Sequence, residues 1–401
     1  MTTEKQKLFL KVFFSFFFIF SVIKIYDNAV SRDAWQYGEW LINYDSGFIR
    51  RGLTGEIIQN LAIIFNKNIE YSFIFFVSIL SGFYYFLNYK FLQKIQIDYF
   101  WLIFLFSPLL FFLIVTISKI GINKIIIFYS LFLLYLFFLN SSYFNSKTNL
   151  FFYSLIPLFL LIHEGFFFFL GYFILAPVLL LKKSEIKKIY LHFFYLLFLS
   201  VIAMAFLYFN KGDFNSPKII CDSLETYAPM KCDWWGPISA LGEKVILEGE
   251  NDWKFFYIHK DYITYAGFIF YIFYSYIPIY LFFKISDFSK QFFSKTSVLL
   301  MFLLTFLFSL PLYLIAEDWV RWFSYHFNFI FYLLVSIYLI RRVSFNNNQY
   351  YQLIKNKLNL RKYKYIFFLL IFLYPVSFHH HHFFWEGVRL EFTLLKIIRK
   401  F

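Results

Sequence analysis

Residues 150–181 read LFFYSLIPLFLLIHEGFFFFLGYFILAPVLLL, and the way they divide decides the side of every later loop. The stretch is apolar except for His163-Glu164-Gly165 near its middle. Read as two pieces, 150–162 and 166–181, each is short for a membrane crossing, which takes about 20 residues. Read as one helix bent at His163-Glu164-Gly165, it crosses once and all later loops change sides. Basic residues gather in short cytoplasmic loops. Two helices put Lys182, Lys183, Lys187 and Lys188 and the segment from Arg341 to Lys364 on that side; one helix turns both outward. The expectation is two short helices, tilted or packed inside protein, meeting at a His-Glu-Gly turn.

Composition sets the class. Hydrophobic residues make up 60% of the chain, aromatic 27% and charged 15%, where soluble domains carry about 25% charged. Lipid offers the backbone no partners, so only helices and closed barrels span it. Barrel strands alternate apolar and polar residues; residues 13–20, FFSFFFIF, do not. The expected fold is all-α, a polytopic integral membrane bundle of about eleven transmembrane helices in a single domain over residues 1–401. The spans fall near 8–25, 70–88, 99–117, 123–140, 150–162, 166–181, 189–209, 262–283, 297–316, 327–340 and 365–378, with the N-terminus inside and the C-terminus outside. Residues 8–25 lack a small-residue cleavage site before Tyr26-Asp27 and read as a retained first span. A net charge of +14, from 38 basic against 24 acidic residues, would suggest nucleic acid in a soluble protein. Here basic cytoplasmic loops account for it, so no nucleic-acid partner is expected and membrane lipid is.

The extramembrane parts are small. Residues 26–69 form the first outer segment, 210–261 the large outer loop and 379–401 a tail. Residues 34–41 are amphipathic and suit the interface, with Trp35 and Trp40 at headgroup depth. Residues 52–65 read as a short helix whose apolar face is Leu53, Ile57, Leu61 and Ile64. Cys221 and Cys232 both lie in the large loop and would pair in an oxidising compartment. Two free thiols is the alternative, and two cysteines alone make a poor metal site.

Three charged clusters interrupt this apolar chain, and in the eleven-span reading all face outward. Ionisable residues at membrane depth are costly, which makes them candidate functional groups. In Asp45-Ser46-Gly47-Phe48-Ile49-Arg50-Arg51-Gly52, the arginine forks suit phosphate oxygens, and Asp45 orients an arginine or acts as a base. The bland reading is an ion pair that pins the loop. His163 and Glu164 are candidate acid–base groups, because burial shifts a carboxyl upward and His titrates nearest neutrality. In Glu317-Asp318-Trp319-Val320-Arg321-Trp322, Asp318 and Arg321 share a helix face, as do Trp319 and Trp322. Arg321 is then a substrate contact held by Asp318, with Trp322 as stacking surface, or the group is structural. Arg32-Asp33 adds another outer carboxylate, and His379 to His382 a weak metal candidate.

No Gly-rich nucleotide loop, Gly-x-Ser-x-Gly elbow or Cys-His zinc spacing is present. Any sugar donor should therefore be lipid-linked. The architecture resembles the Wzy-type polymerases of O-antigen and capsule synthesis. The set Tyr-Asp-x-Gly-Phe-x-Arg-Arg-Gly-Leu at 44–53, His-Glu at 163–164 and Asp-Trp-x-Arg-Trp at 318–322 looks like one subgroup of polysaccharide-associated membrane proteins. The resemblance implies a bacterial inner-membrane glycosyltransferase. Its substrate would be undecaprenyl-pyrophosphate-linked oligosaccharide, joined at the periplasmic face without metal or cofactor. A chain-length regulator is a further candidate partner. His163, Glu164 and Asp45 would be catalytic, and Arg50, Arg51, Arg321, Asp318 and Trp322 would bind pyrophosphate and substrate. The competing readings are a GT-C glycosyltransferase using a polyprenyl-phosphate sugar, with Asp33 or Asp45 as its outer carboxylate, and a lipid-oligosaccharide flippase.

Overall fold

The computed structural model describes residues 3–66, 68–112, 123–141, 144–225, 236–241, 262–289, 293–315, 319–345, 348–359 and 361–376. These residues are mainly helical: α1 (Thr3–Ser31), α2 (Gln36–Leu41), α3 (Leu53–Phe65), α4 (Ile69–Leu92), α5 (Tyr99–Leu105), α6 (Ile125–Leu139), α7 (Ser146–Leu160), α8 (Leu170–Leu180), α9 (Lys183–Phe209), α10 (Ser216–Glu225), α11 (Tyr262–Ser275), α12 (Ile277–Ile285), α13 (Lys295–Phe308), α14 (Leu310–Ile315), α15 (Trp319–Leu339), α16 (Gln349–Asn359) and α17 (Arg361–Leu373). A two-residue antiparallel pairing joins β1 (Asp287–Phe288) to β2 (Val343–Ser344). Glu317, Asp318, Cys232, His379 to His382 and most of the large outer loop and tail lie outside the described residues.

Four helices among the described residues are long and apolar enough to cross a membrane: Glu4–Ser31, Ile69–Leu92, Lys183–Phe209 and Trp319–Leu339. The bent pair Phe268–Ser275 and Ile277–Ile285 makes a fifth if it forms one span. Among the described residues, length does not show eleven. The expected spans at 123–140, 150–162, 166–181 and 297–316 hold α6, α7, α8 and α13, of 15, 15, 11 and 14 residues.

The chain forms two compact units. One comprises Lys11–Phe91 and Gly121–Ile246; the other comprises Met1–Leu10, Leu92–Ile120 and Leu247–Phe401. In the first, α1 meets α4 through Phe14, Phe17 and Ser21, which pack on Tyr85, with the Ser21 and Tyr85 hydroxyls 2.9 Å apart. Arg32 Nε donates to Glu70 Oε1 at 2.8 Å where α1 ends and α4 begins. The opposite face of α1 exposes Leu8, Val12, Phe16, Ile19, Ile23, Tyr26 and Val30; α4 exposes Tyr71, Phe75, Ile79, Phe83 and Phe86. Steps of three and four set each group on one stripe. Soluble monomers rarely expose apolar patches beyond a few hundred Å², and stripes of this length suit hydrocarbon.

The 150–181 stretch divides at the His-Glu-Gly triplet. Asn145 and Thr148 close a reciprocal capping box at the start of α7. The helix stops at Leu160; His163 is extended, a short 3-10 turn runs Glu164–Phe169, and α8 follows. α7 lies chiefly along α9. Asn149 and His192 approach at 3.1 Å and Ser154 and Tyr195 at 3.1 Å, while Tyr135 on α6 donates to Asn149 Oδ1 at 2.7 Å. Such interhelical bonds supply the cohesion that lipid, being apolar itself, does not.

One expectation for residues 26–69 is corrected, and the other, the helix at 52–65, is observed. Residues 34–41 do not lie along an interface: Gln36 through Leu41 are all buried, Trp40 completely, and Trp35 alone of the two tryptophans is exposed. α2 is covered because Tyr37 meets Phe73 edge-on, Trp40 packs near Phe76 and Gly38 faces Ile238. On α3 the buried side is Thr54, Gly55, Ile58, Gln59 and Ala62, whereas Ile57 and Ile64 of the expected apolar face are 38% and 73% exposed. Gly55 explains why the other side meets protein. A Cβ there would lie 2.0 Å from the Ile42 carbonyl oxygen, so the helix backbone rests against the preceding loop. The small and polar side faces protein and the apolar side faces out.

The other unit is organised by α15, which is buried from Ser324 through Ile337. Ser324 Oγ and Asn328 Nδ2 both donate to the Leu109 carbonyl, at 2.9 and 3.1 Å, and His326 pairs with Ser309 at 2.7 Å. Cys221, in the first unit, is buried on α10 and disulfide-bonded.

Candidate functional site

The site is built on two turns of the first unit. The turn before α3 is closed by Gly47 N–H to the Tyr44 carbonyl at 2.9 Å, with Gly47 at φ +97°. The Tyr44 N–H donates to Glu56 Oε2 at 3.2 Å, and the Tyr44 ring stacks on Phe48 at 4.9 Å. Gly52 passes beneath that ring: a Cβ there would sit 2.3 Å from Tyr44 Cε1. Between these glycines, the Arg50 N–H donates to the Asn210 carbonyl at 3.0 Å and Arg51 adopts the left-handed φ of +65°. A non-glycine residue there is uncommon and needs surroundings that hold it.

The second turn brings Glu164 to the arginines. Arg51 Nε lies 3.0 and 2.9 Å from the two carboxylate oxygens, and its Nη2 donates to Oε1 at 2.6 Å. Arg50 Nη1 reaches the same Oε1 at 3.4 Å, while its Nη2 reaches the Ala240 carbonyl at 3.4 Å. Consecutive residues on a helix would point about 100° apart. In this turn both side chains converge on one carboxylate.

His163 lies under the pair. Its Nδ1 accepts the Gly165 N–H at 3.0 Å, which puts the ring proton on Nε2. Nε2 faces Glu39 Oε1 at 3.6 Å. The imidazole stacks on Phe166, which stacks on Phe128. Lys124, at the head of α6, is fully buried. Its Nζ donates to the Arg51 carbonyl at 3.0 Å and to the Ile162 carbonyl at 3.3 Å, so one ammonium joins both turns.

The electrostatics follow from these contacts. Burial alone would push the Glu164 carboxyl up; the charge and hydrogen bonds of Arg51 outweigh it and, with His163 and Arg50, hold it well below its ordinary value. The upward shift expected of Glu164 is thus reversed, because its partner is a bidentate guanidinium. Burial first, then the Arg51 charge, lowers the His163 imidazole from 6.5 to about 4, leaving it neutral at pH 7. Arg50, Arg51 and Lys124 are thus gathered with the acidic side chains of Glu39 and Glu164.

Of the residues proposed from sequence, Arg50, Arg51, His163 and Glu164 come together. Asp45 is exposed, and its carboxylate accepts from Gln59 Nε2 at 2.6 Å. Asp33 caps the first turn of α2, accepting the Gln36 N–H at 2.6 Å. Arg321 and the buried Trp322 belong to the other unit, in the first turn of α15, with Trp322 edge-on to Tyr325. Glu39 and Lys124 were not singled out from sequence. A signal existed for Lys124: it stands at a helix N-terminus, where the macrodipole disfavours a cation, and at an outer end in the eleven-span reading, against the positive-inside pattern. Among the described residues, no group of three or more His, Cys, Asp or Glu is placed to hold a metal ion.

The arrangement can bind an oxyanion, since carboxylate and phosphate take the same guanidinium fork. Comparison with known proteins finds no matching family model, no similar curated protein and no similar solved structure.

Proposed function

We propose that this protein is a multi-pass glycosyltransferase of the bacterial inner membrane, N-terminus cytoplasmic and C-terminus periplasmic. In this reading it polymerises undecaprenyl-pyrophosphate-linked oligosaccharide repeat units at the periplasmic face. The observation that carries the reading is the convergence of Arg50 and Arg51 on one oxyanion, Glu164 Oε1, in an apolar chain. A leaving pyrophosphate needs cations as charge develops on its oxygen. In this reading the pyrophosphate takes over the two guanidinium groups from Glu164. An acceptor hydroxyl attacks the anomeric carbon, the carbon–oxygen bond to pyrophosphate breaks, and the lipid pyrophosphate departs. A Glu164 relieved of its arginines binds a proton more readily and takes the one the hydroxyl loses. His163 supports the turn instead of taking that proton, because its Nδ1 already accepts the Gly165 N–H.

The exposed Asp45 carboxylate favours a second reading, a GT-C enzyme that adds one sugar from a polyprenyl phosphate. Deleting the gene and resolving the surface polysaccharide on a gel separates the two. Collapse of a repeat ladder to a single-unit band supports polymerisation; a ladder whose units each lack a sugar supports the alternative. Replacing Arg50 and Arg51 together with Ala should cut polymer formation by about 100-fold or more at normal protein level. Full activity in that variant would discard the reading.

A further inference from the structure

We propose that Lys124 is the positioning residue of this anion site, its ammonium tying the Arg51 carbonyl to the Ile162 carbonyl and so holding the arginine turn and the His163-Glu164 turn in register. The inference rests on the anion-binding reading above and adds a residue to it. An ammonium has three N–H bonds, and two meet carbonyls from turns that are distant in sequence. One of those carbonyls belongs to Arg51, whose backbone is left-handed at φ +65° and needs such an anchor. The other immediately precedes His163. Burying a lysine is costly unless its N–H groups find acceptors, and here two of them meet backbone carbonyls. Without it the Arg51 and Ile162 carbonyls would lose the donor they share, and the arginine turn its backbone support.

The test uses the full chain in lipid nanodiscs, titrated with inorganic pyrophosphate in a calorimeter, with thermal unfolding recorded for each variant. Wild type is expected to bind. Lys124→Met should bind at least about tenfold more weakly, the loss expected when charge-assisted hydrogen bonds are removed. Lys124→Arg, which keeps the charge and paired N–H donors, should recover most of the affinity, a rescue that a merely space-filling lysine would not require. Should Lys124→Met fail to fold, Lys124→Gln takes its place and should also bind more weakly than wild type. Wild-type affinity in the neutral variant would overturn the role of Lys124 alone. Equal weakness of Lys124→Arg and Lys124→Met, both folded, would overturn it too. No binding by wild type would instead remove the anion site itself.

Discussion

His163 is a neutral ring locked between an N–H donor and a carboxylate, and that has a consequence with pH. Its folded pKa of about 4 lies below the 6.5 of the unfolded chain. Between those values the unfolded state binds more protons, so stability rises with pH across that window and falls on acidification from 6.5 towards 4. Glu164, also lowered, adds a loss in the same direction at still lower pH. In detergent, wild type should therefore lose melting temperature steadily from pH 7 to 4.5, and His163→Gln should lose less. Parallel slopes for the two would show that His163 does not carry the effect. At this scale the sequence was informative about which charged residues stand out and poor about their state. Charge in an apolar chain marked Arg50, Arg51, His163 and Glu164. Nothing local revealed that Glu164 would meet both arginines, and that contact reverses the sign of its shift. Glu39 is one acidic residue in a short amphipathic stretch, and only its burial beside His163 gives it meaning.

At the scale of elements, the break at His163 was legible because two independent signals agreed: a polar triplet in an apolar run, and the sidedness of the lysines that follow. The facing of α3 was not. Periodicity finds an apolar stripe but does not say whether it meets protein or lipid, and on α3 it faces outward. The decisive residue is Gly55, which carries no hydrophobic signal. Gly55→Ala would press a methyl against the Ile42 carbonyl, which cannot rotate away, and should cost about 1–3 kcal/mol. Gly82→Ala, whose Cβ would meet the Phe18 ring at 3.2 Å, should cost less, since a side chain can yield. Melting curves of the two variants compare these costs; a Gly55→Ala protein as stable as wild type would mean that α3 does not rest on the loop.

For the molecule as a whole, composition pointed to the helical class that the described residues show, and a count of apolar runs gave eleven spans where four helices among those residues are long and apolar enough to cross a membrane. Runs such as 150–181 and 297–316 are interrupted by turns that hydropathy averages over. The outward stripes make a direct prediction. Phe16→Lys, in the middle of the α1 stripe, should cost about 2.5–3.5 kcal/mol of membrane insertion and lower the alkali-resistant membrane fraction, while Phe16→Leu should not. Equal fractions would mean that this face does not meet lipid. The stripe also has a length. From Leu8 to Val30 it rises about 33 Å, close to the roughly 30 Å of a bilayer's hydrocarbon. It ends just before Arg32, whose bond to Glu70 ties the end of α1 to the head of α4. If α1 crosses a bilayer, a membrane thinner than this stripe would tilt it and load its tie to α4.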